Sequence, residues 1–150
     1  ITGTNFSSWY NQSEGTVFVK VLDAAYGQSD SYEISDGSVN NKRNIRIDAN
    51  ASKIKRTIVG AGSASQQQSG TNYTGYPVSF KAAATDNFKF FVDGVSGSTS
   101  GNLNALPTNM TQLVIGFRGS QSSNYLNGHI SRLAYFPTRL PDATLQNITT

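Results

Sequence analysis

The chain of 150 residues contains no cysteine. That excludes disulfide staples, zinc–thiolate centres and cysteine nucleophiles, and leaves the redox compartment open. Glutamate is almost missing, with Glu14 and Glu33 the only two. A glycosidase needs two carboxylates set across the scissile bond, and no close acidic cluster is present. Glu33 and Asp36, three residues apart, are as near as any acidic pair, and Asp36 reads more simply as the start of an Asp-Gly turn. The single histidine, His129, falls in a predicted strand with no nucleophile motif beside it, so a triad has no local support. No apolar run approaches the roughly 18–20 residues of a membrane-spanning helix. Charge is sparse: 12 Lys/Arg against 9 Asp/Glu, or 14% charged residues and a net +3. That is too thin for a nucleic-acid footprint, where basic residues crowd one face. Neither nucleic acid nor membrane insertion is expected.

What is abundant is neutral and polar. Ser, Thr, Asn and Gln must make up most of the surface, a composition common in extracellular and virion β-proteins. The apolar residues alternate, as strands with one wet face require. Such sets occur in 16–22, 43–48, 54–59, 78–84, 88–92, 113–117 and 129–136. Turn dipeptides separate them: Asp36-Gly37, Asp93-Gly94 and Asn127-Gly128. Two Gly/Ser-rich stretches, 60–76 and 96–104, lack core periodicity and read as long loops. One segment, 141–148, reads as a short helix, with Pro141 at its first position and Asp142 beside it. Many short strands with regular turns predict an all-β antiparallel sandwich with one short C-terminal helix.

Several residues carry candidate chemistry. Tyr73 and Tyr76 in the first polar loop, and Asn124 and Tyr125 in the loop after Phe117, are candidate sugar contacts. A pyranose face stacks on a flat ring while amides take its hydroxyls. A loop-anchoring role for the same tyrosines reads equally well. Lys42, Arg43, Arg46, Lys53, Lys55 and Arg56 lie on two neighbouring predicted strands. If those strands pair, the charges can gather into a patch that holds an anionic glycan through charge-assisted hydrogen bonds. The simpler reading is a solvated sheet face. Asp86, Asn87 and Asp93 are calcium ligands by type, but their spacing matches no calcium loop. No cofactor is required, and calcium is the one cation worth testing. Trp9, just before the first strand, is expected to pack over an end of the sandwich.

Some of these segments carry a resemblance. Asp86–Val95 (DNFKFFVDGV) resembles the strand and Asp-Gly hairpin of concanavalin A-like domains of the laminin-G and pentraxin type. Leu113–Thr149 contains LVIGF and then NGHISRLAYFPTRLPDATLQNIT, which is similar to the closing strands and terminal helix of that superfamily. Ile1–Phe18 (ITGTNFSSWYNQSEGTVF) resembles the start of such domains in bacteriophage tail fibres and other virion proteins. One departure is Pro141, which stands where the family often has a small hydroxyl residue before the helix. The Glu-x-Asp-x-x-Glu strand of the glucanase branch is absent.

The resemblance implies a concanavalin A-like jelly roll and a binding or structural module rather than an enzyme. It carries over no ligand residue. The chain is expected to be one domain, 1–150, cut from a longer polypeptide. The function it implies is a carbohydrate-binding, lectin-like module of a phage virion protein, on a tail fibre that attaches to the host surface. Its partners would be a bacterial cell-surface glycan, other virion proteins and further copies of itself in a trimer, at the virion surface or otherwise extracellular. The alternatives are a capsid or fibre decoration domain with no glycan recognition and, behind it, a polysaccharide hydrolase.

Overall fold

The alternating segments form strands, and the strands form two antiparallel sheets. The computed structural model describes residues 1–86, 88–100 and 107–150. In chain order the strands are β1 (Thr16–Ala24), β2 (Ser29–Ser35), β3 (Lys42–Asp48), β4 (Lys53–Gly60), β5 (Ser63–Gln68), β6 (Val78–Thr85), β7 (Phe90–Val92), β8 (Val95–Ser96), β9 (Ser98–Ser100), β10 (Gln112–Ile115) and β11 (His129–Phe136). One sheet has the order β11-β1-β6-β7-β8, and the other has the order β10-β2-β3-β4-β5-β9. Every described strand pair is antiparallel.

The core lies between the sheets. Val19, Val21, Phe80, Ala82 and Val92 from one meet Tyr32, Ile34, Ile45, Ile47 and Ile54 from the other. Each large side chain among them stabilises the fold by about 1.5–3 kcal/mol through burial. The outer side of the five-stranded sheet is covered by the helix α2 (Asp142–Thr149), whose Leu145 packs on Phe18, Ala83 and Phe91. Pro141 occupies the N-cap rather than the first helical position, with no side-chain cap. Asp142 in the first turn pairs with Lys89 at 2.9 Å.

Four elements depart from the sequence reading. A one-turn helix, α1 (Thr4–Ser7), precedes β1. It delivers Phe6, Trp9 and Tyr10 to a ring cluster with Tyr135, in which Trp9 meets Phe6 and Tyr135 edge-on at 5.0 and 5.1 Å. The polar stretch 60–76 contains β5, whose Ser65 and Gln67 are buried. The second polar stretch contains β9, and its residues 101–104 lie outside the described residues. Strand β2 has no counterpart among the predicted segments. Its sequence, SDSYEIS, is mostly polar, yet every residue of it is buried.

Candidate functional site

The pairing of β3 with β4 decides where the six predicted basic residues go. Arg43 pairs with Ile58, Ile45 with Arg56 and Ile47 with Ile54. This set faces the core. Lys42 pairs with Val59, Asn44 with Thr57, Arg46 with Lys55 and Asp48 with Lys53. That set faces outward. The predicted patch is therefore split by the pleat: Lys42, Arg46, Lys53 and Lys55 share the outer face, while Arg43 and Arg56 point inward.

The inward arginines belong to a buried polar cluster. Asp86, its side chain fully buried, lies 3.7 Å from Arg43 Nη1 and 2.7 Å from Arg139 Nε. Arg56 is 2% exposed and donates to Gln67 Oε1 at 2.8 Å. Burial, partly opposed by neighbouring groups, brings the Arg56 guanidinium down to about 10. Burial also pushes the Tyr10 phenol up to about 12. Asp86, clamped between guanidiniums, is thus poorly placed to hold calcium. Asp93 accepts from the Lys81 amide at 2.7 Å and the Tyr73 hydroxyl at 2.5 Å. Asn87 lies outside the described residues. No group of three or more metal-ligating side chains gathers among the described residues.

The outer face of the six-stranded sheet is built differently. A bulge between Asp30 and Tyr32 puts Asp30 opposite Arg46 and Glu33 opposite Asn44. Both carboxylates therefore stand outward although they are three residues apart. Asp48 lies 3.1 Å from Arg46 Nη2 and 3.1 Å from Lys55 Nζ. Burial alone would raise its carboxyl. Hydrogen bonds from Gln28 and Lys55 and the charges of Arg46 and Lys55 outweigh that and hold it below the ordinary aspartate value. For Asp30 burial wins over Arg118, Arg46 and the two asparagines, and its carboxyl is raised. Burial lowers the Lys42 ammonium.

Part of this face is roofed by the connection after β10. Gly119 lies so close to Val114 that a Cβ there would come within 2.6 Å of Val114 Cγ2. Ser120 reaches Glu33, donating from its amide to Oε1 at 2.8 Å and from its hydroxyl to Oε2 at 3.0 Å. Arg118 Nε donates to Asp30 Oδ2 at 3.2 Å, and its Nη1 donates to Gln121 Oε1 at 2.8 Å. Asn44 Nδ2 donates to the other oxygen of Asp30. Five cations (Lys42, Arg46, Lys53, Lys55 and Arg118) thus share one face with three carboxylates (Asp30, Glu33 and Asp48); four of them pair with a carboxylate, while Lys53 Nζ donates to Gly70 O at 2.8 Å. Arg46 Nε, Asn44 Oδ1 and Thr57 Oγ1 are buried there without a hydrogen-bond partner.

The four predicted sugar contacts sit on two loops at one end of the sandwich. Hydrogen bonds string that end together: Ala25 N to Asn127 O, Asp30 N to Asn124 O, Tyr26 Oη to Ala49 O, and Tyr73 N to Ser52 O. Asn124 backs Asp30 through its carbonyl and its side chain. Tyr125 is 65% exposed and stacks on Phe117 at 5.4 Å. Tyr76 is 72% exposed. Tyr73 is half-buried, edge-on to Phe80 at 6.4 Å, with its hydroxyl on Asp93. It anchors its loop, the alternative read from the sequence. Missed by sequence reasoning were Asp30, Asp48 and Arg118, and Glu33 was weighed there only as an acidic pair with Asp36. The five-residue Asn44–Asp48 alternation of polar and apolar side chains held the only local clue, by placing Asn44, Arg46 and Asp48 on one face.

No family model and no curated protein matches the sequence. Solved structures do match in fold. The CBM40 module of the Ruminococcus gnavus IT-sialidase, bound to α2,6 sialyllactose, superposes with a TM-score of 0.73 at 16% identity, over 93% of this chain and 85% of that one. The same module bound to α2,3 sialyllactose gives 0.71 at 16% identity, over 93% and 84%. A SAP-like pentraxin from Limulus polyphemus gives 0.65 at 10% identity, over 91% and 70%. The NanB sialidase of Streptococcus pneumoniae is matched over only 25% of its length, at a TM-score of 0.66 and 14% identity. The fold is an all-β, concanavalin A-like jelly roll with one short C-terminal helix.

Proposed function

We propose that this chain is a non-catalytic, lectin-like module that binds an acidic glycan on the outer face of its six-stranded sheet. The observation that carries this reading is the surplus of five cations over three carboxylates on that face. A sugar carboxylate placed between Arg46, Lys55 and Arg118 supplies one of the two missing negative charges through charge-assisted hydrogen bonds. The exposed ring of Tyr125, at the same end, offers a stacking surface for the pyranose, and Tyr76 offers a second. The fold neighbours support the reading, because two of those structures hold sialyllactose. All three carboxylates of the face are engaged by cations or amides, so they suit preorganisation better than acid–base work.

The setting on a phage tail fibre is a further part of the proposal. It rests on the resemblance of residues 1–18 alone, whereas the fold neighbours are sialidase modules and a pentraxin. On a fibre, trimeric copies would raise a weak single-site affinity by avidity. The test is an array of sialylated, uronic-acid-bearing and neutral glycans probed with a multivalent fusion, with and without calcium. Saturable binding confined to acidic glycans, weakened by salt and lost in Arg46→Ala, is the expected result. Equal binding to neutral glycans would overturn the charge-based reading. No binding to any glycan by folded protein would favour a decoration domain.

A further inference from the structure

The roof over the sheet face is fastened in a way that the rest of the molecule does not require. Residues 116–126 leave β10, cross back over β10 and β2, and reach β3. They are held at three successive points. Gly119 lies on Val114 of β10, Ser120 and Arg118 on Glu33 and Asp30 of β2, and Ser120 within 3.5 Å of Lys42 Nζ on β3. Backbone bonds close the loop at its base: Gly116 N to Ser31 O at 2.9 Å and Leu126 N to Gly116 O at 2.7 Å. The two carboxylates are fully buried beneath it. A buried carboxylate is costly unless it is hydrogen-bonded and paired. The loop's own amide, hydroxyl and guanidinium provide most of that pairing, so carboxylates and loop need one another.

We infer that 116–126 is a clasp locked onto the sheet by Glu33 and Asp30, and that its closure sets the affinity of the glycan face. This deepens the proposed function and rests on that reading. The clasp carries Arg118, Asn124 and Tyr125, so the cation and ring face the ligand only when it is down. Glu33 and Asp30 are positioning residues: they act through the clasp and not on the sugar. Apparent affinity then equals the closed-state affinity multiplied by the fraction of molecules that are closed.

Gly119 gives a means of opening the clasp that leaves both carboxylates in place. Gly119→Ala drives a methyl into Val114 Cγ2 and is expected to lift the loop. Val114→Ala removes both γ-methyls and leaves only its Cβ, 3.1 Å from the new methyl, so the double variant V114A/G119A is expected to close again with a shift of a few tenths of an ångström. Hydrogen exchange across 116–126 reads the clasp, and titration with α2,3-sialyllactose reads the site. Expected are faster exchange confined to 116–126 and about tenfold weaker binding in G119A, with both restored in the double variant. Glu33→Gln is expected to change both in the same direction, and the glycine pair decides the matter if that variant does not fold. An opened clasp with unchanged binding would overturn the inference, and so would unchanged exchange in G119A. If the wild type binds no sialylated glycan while exchange responds as expected, the glycan reading fails and the lock itself stands.

Discussion

Two pairs of basic residues on the same two strands have opposite fates. Arg43 and Arg56 lie between the sheets, whereas Arg46 and Lys55, a few positions away, lie on the outer face. The inner pair is tied to Asp86, Gln67 and the tyrosines of the N-terminal cluster. The outer pair shares Asp48 and leaves Arg46 Nε without a partner. Side-chain parity along a strand, not residue type, decides which of them lie between the sheets and which stand on the outer face. The inner cluster is expected to govern stability and the outer one binding.

The sharpest break of that contrast is on the inside. Asp86→Ala leaves Arg43 and Arg139 without their carboxylate and is expected to cost about 3–5 kcal/mol of folding free energy in urea unfolding. Glycan affinity of the remaining folded protein should be unchanged. Next is the outside. Arg46→Ala is expected to weaken binding of an acidic glycan about tenfold or more, while stability falls by about 1–3 kcal/mol, because Arg46 and its partner Asp48 are mostly buried. Calorimetric titration alongside thermal melts checks both halves. Tyr125→Ala loses its stack on Phe117 and, on this reading, its contact with the sugar. A loss of about 0.5–1.5 kcal/mol in binding is expected in the same titrations.

The smallest effect concerns pH. The Asp48 carboxyl is held below its ordinary value by its hydrogen bonds and cations. A carboxyl lowered on folding stabilises the native state above its unfolded pKa, and that contribution disappears as pH falls through the folded value. Between about pH 6 and pH 3, wild-type stability should therefore fall more than that of Asp48→Asn. Denaturant midpoints across that range measure the difference. Equal slopes would mean that Asp48 is not held by this network.

Much of the fold was legible because burial is one-sided where the chain alternates. The β1 set of Val17, Val19 and Val21, the β6 set of Val78, Phe80, Ala82 and Ala84, and His129–Phe136 all appear as strands. Strand β2 was not legible. Its outer residues Asp30 and Glu33 are buried by a loop nearly 90 residues away, and its bulge breaks the period. No local pattern announces burial supplied from so far along the chain. The same reason hid most of the candidate site. Arg118 joins Arg46 only through the clasp, and the split of the six basic residues needed the β3–β4 register. Tyr125 and Asn124 were legible as loop residues, though the second serves to back Asp30.

The proposed glycan site is the outer face of the six-stranded sheet. Titrating isotope-labelled protein with α2,6-sialyllactose and mapping the amide shifts tests it most directly. Changes that saturate and cluster at Arg46, Lys55, Arg118 and Tyr125, with the inner Arg43 and Arg56 quiet, are predicted. Saturable shifts centred on the five-stranded sheet or α2, with the outer face of β3 and β4 unmoved, would contradict it.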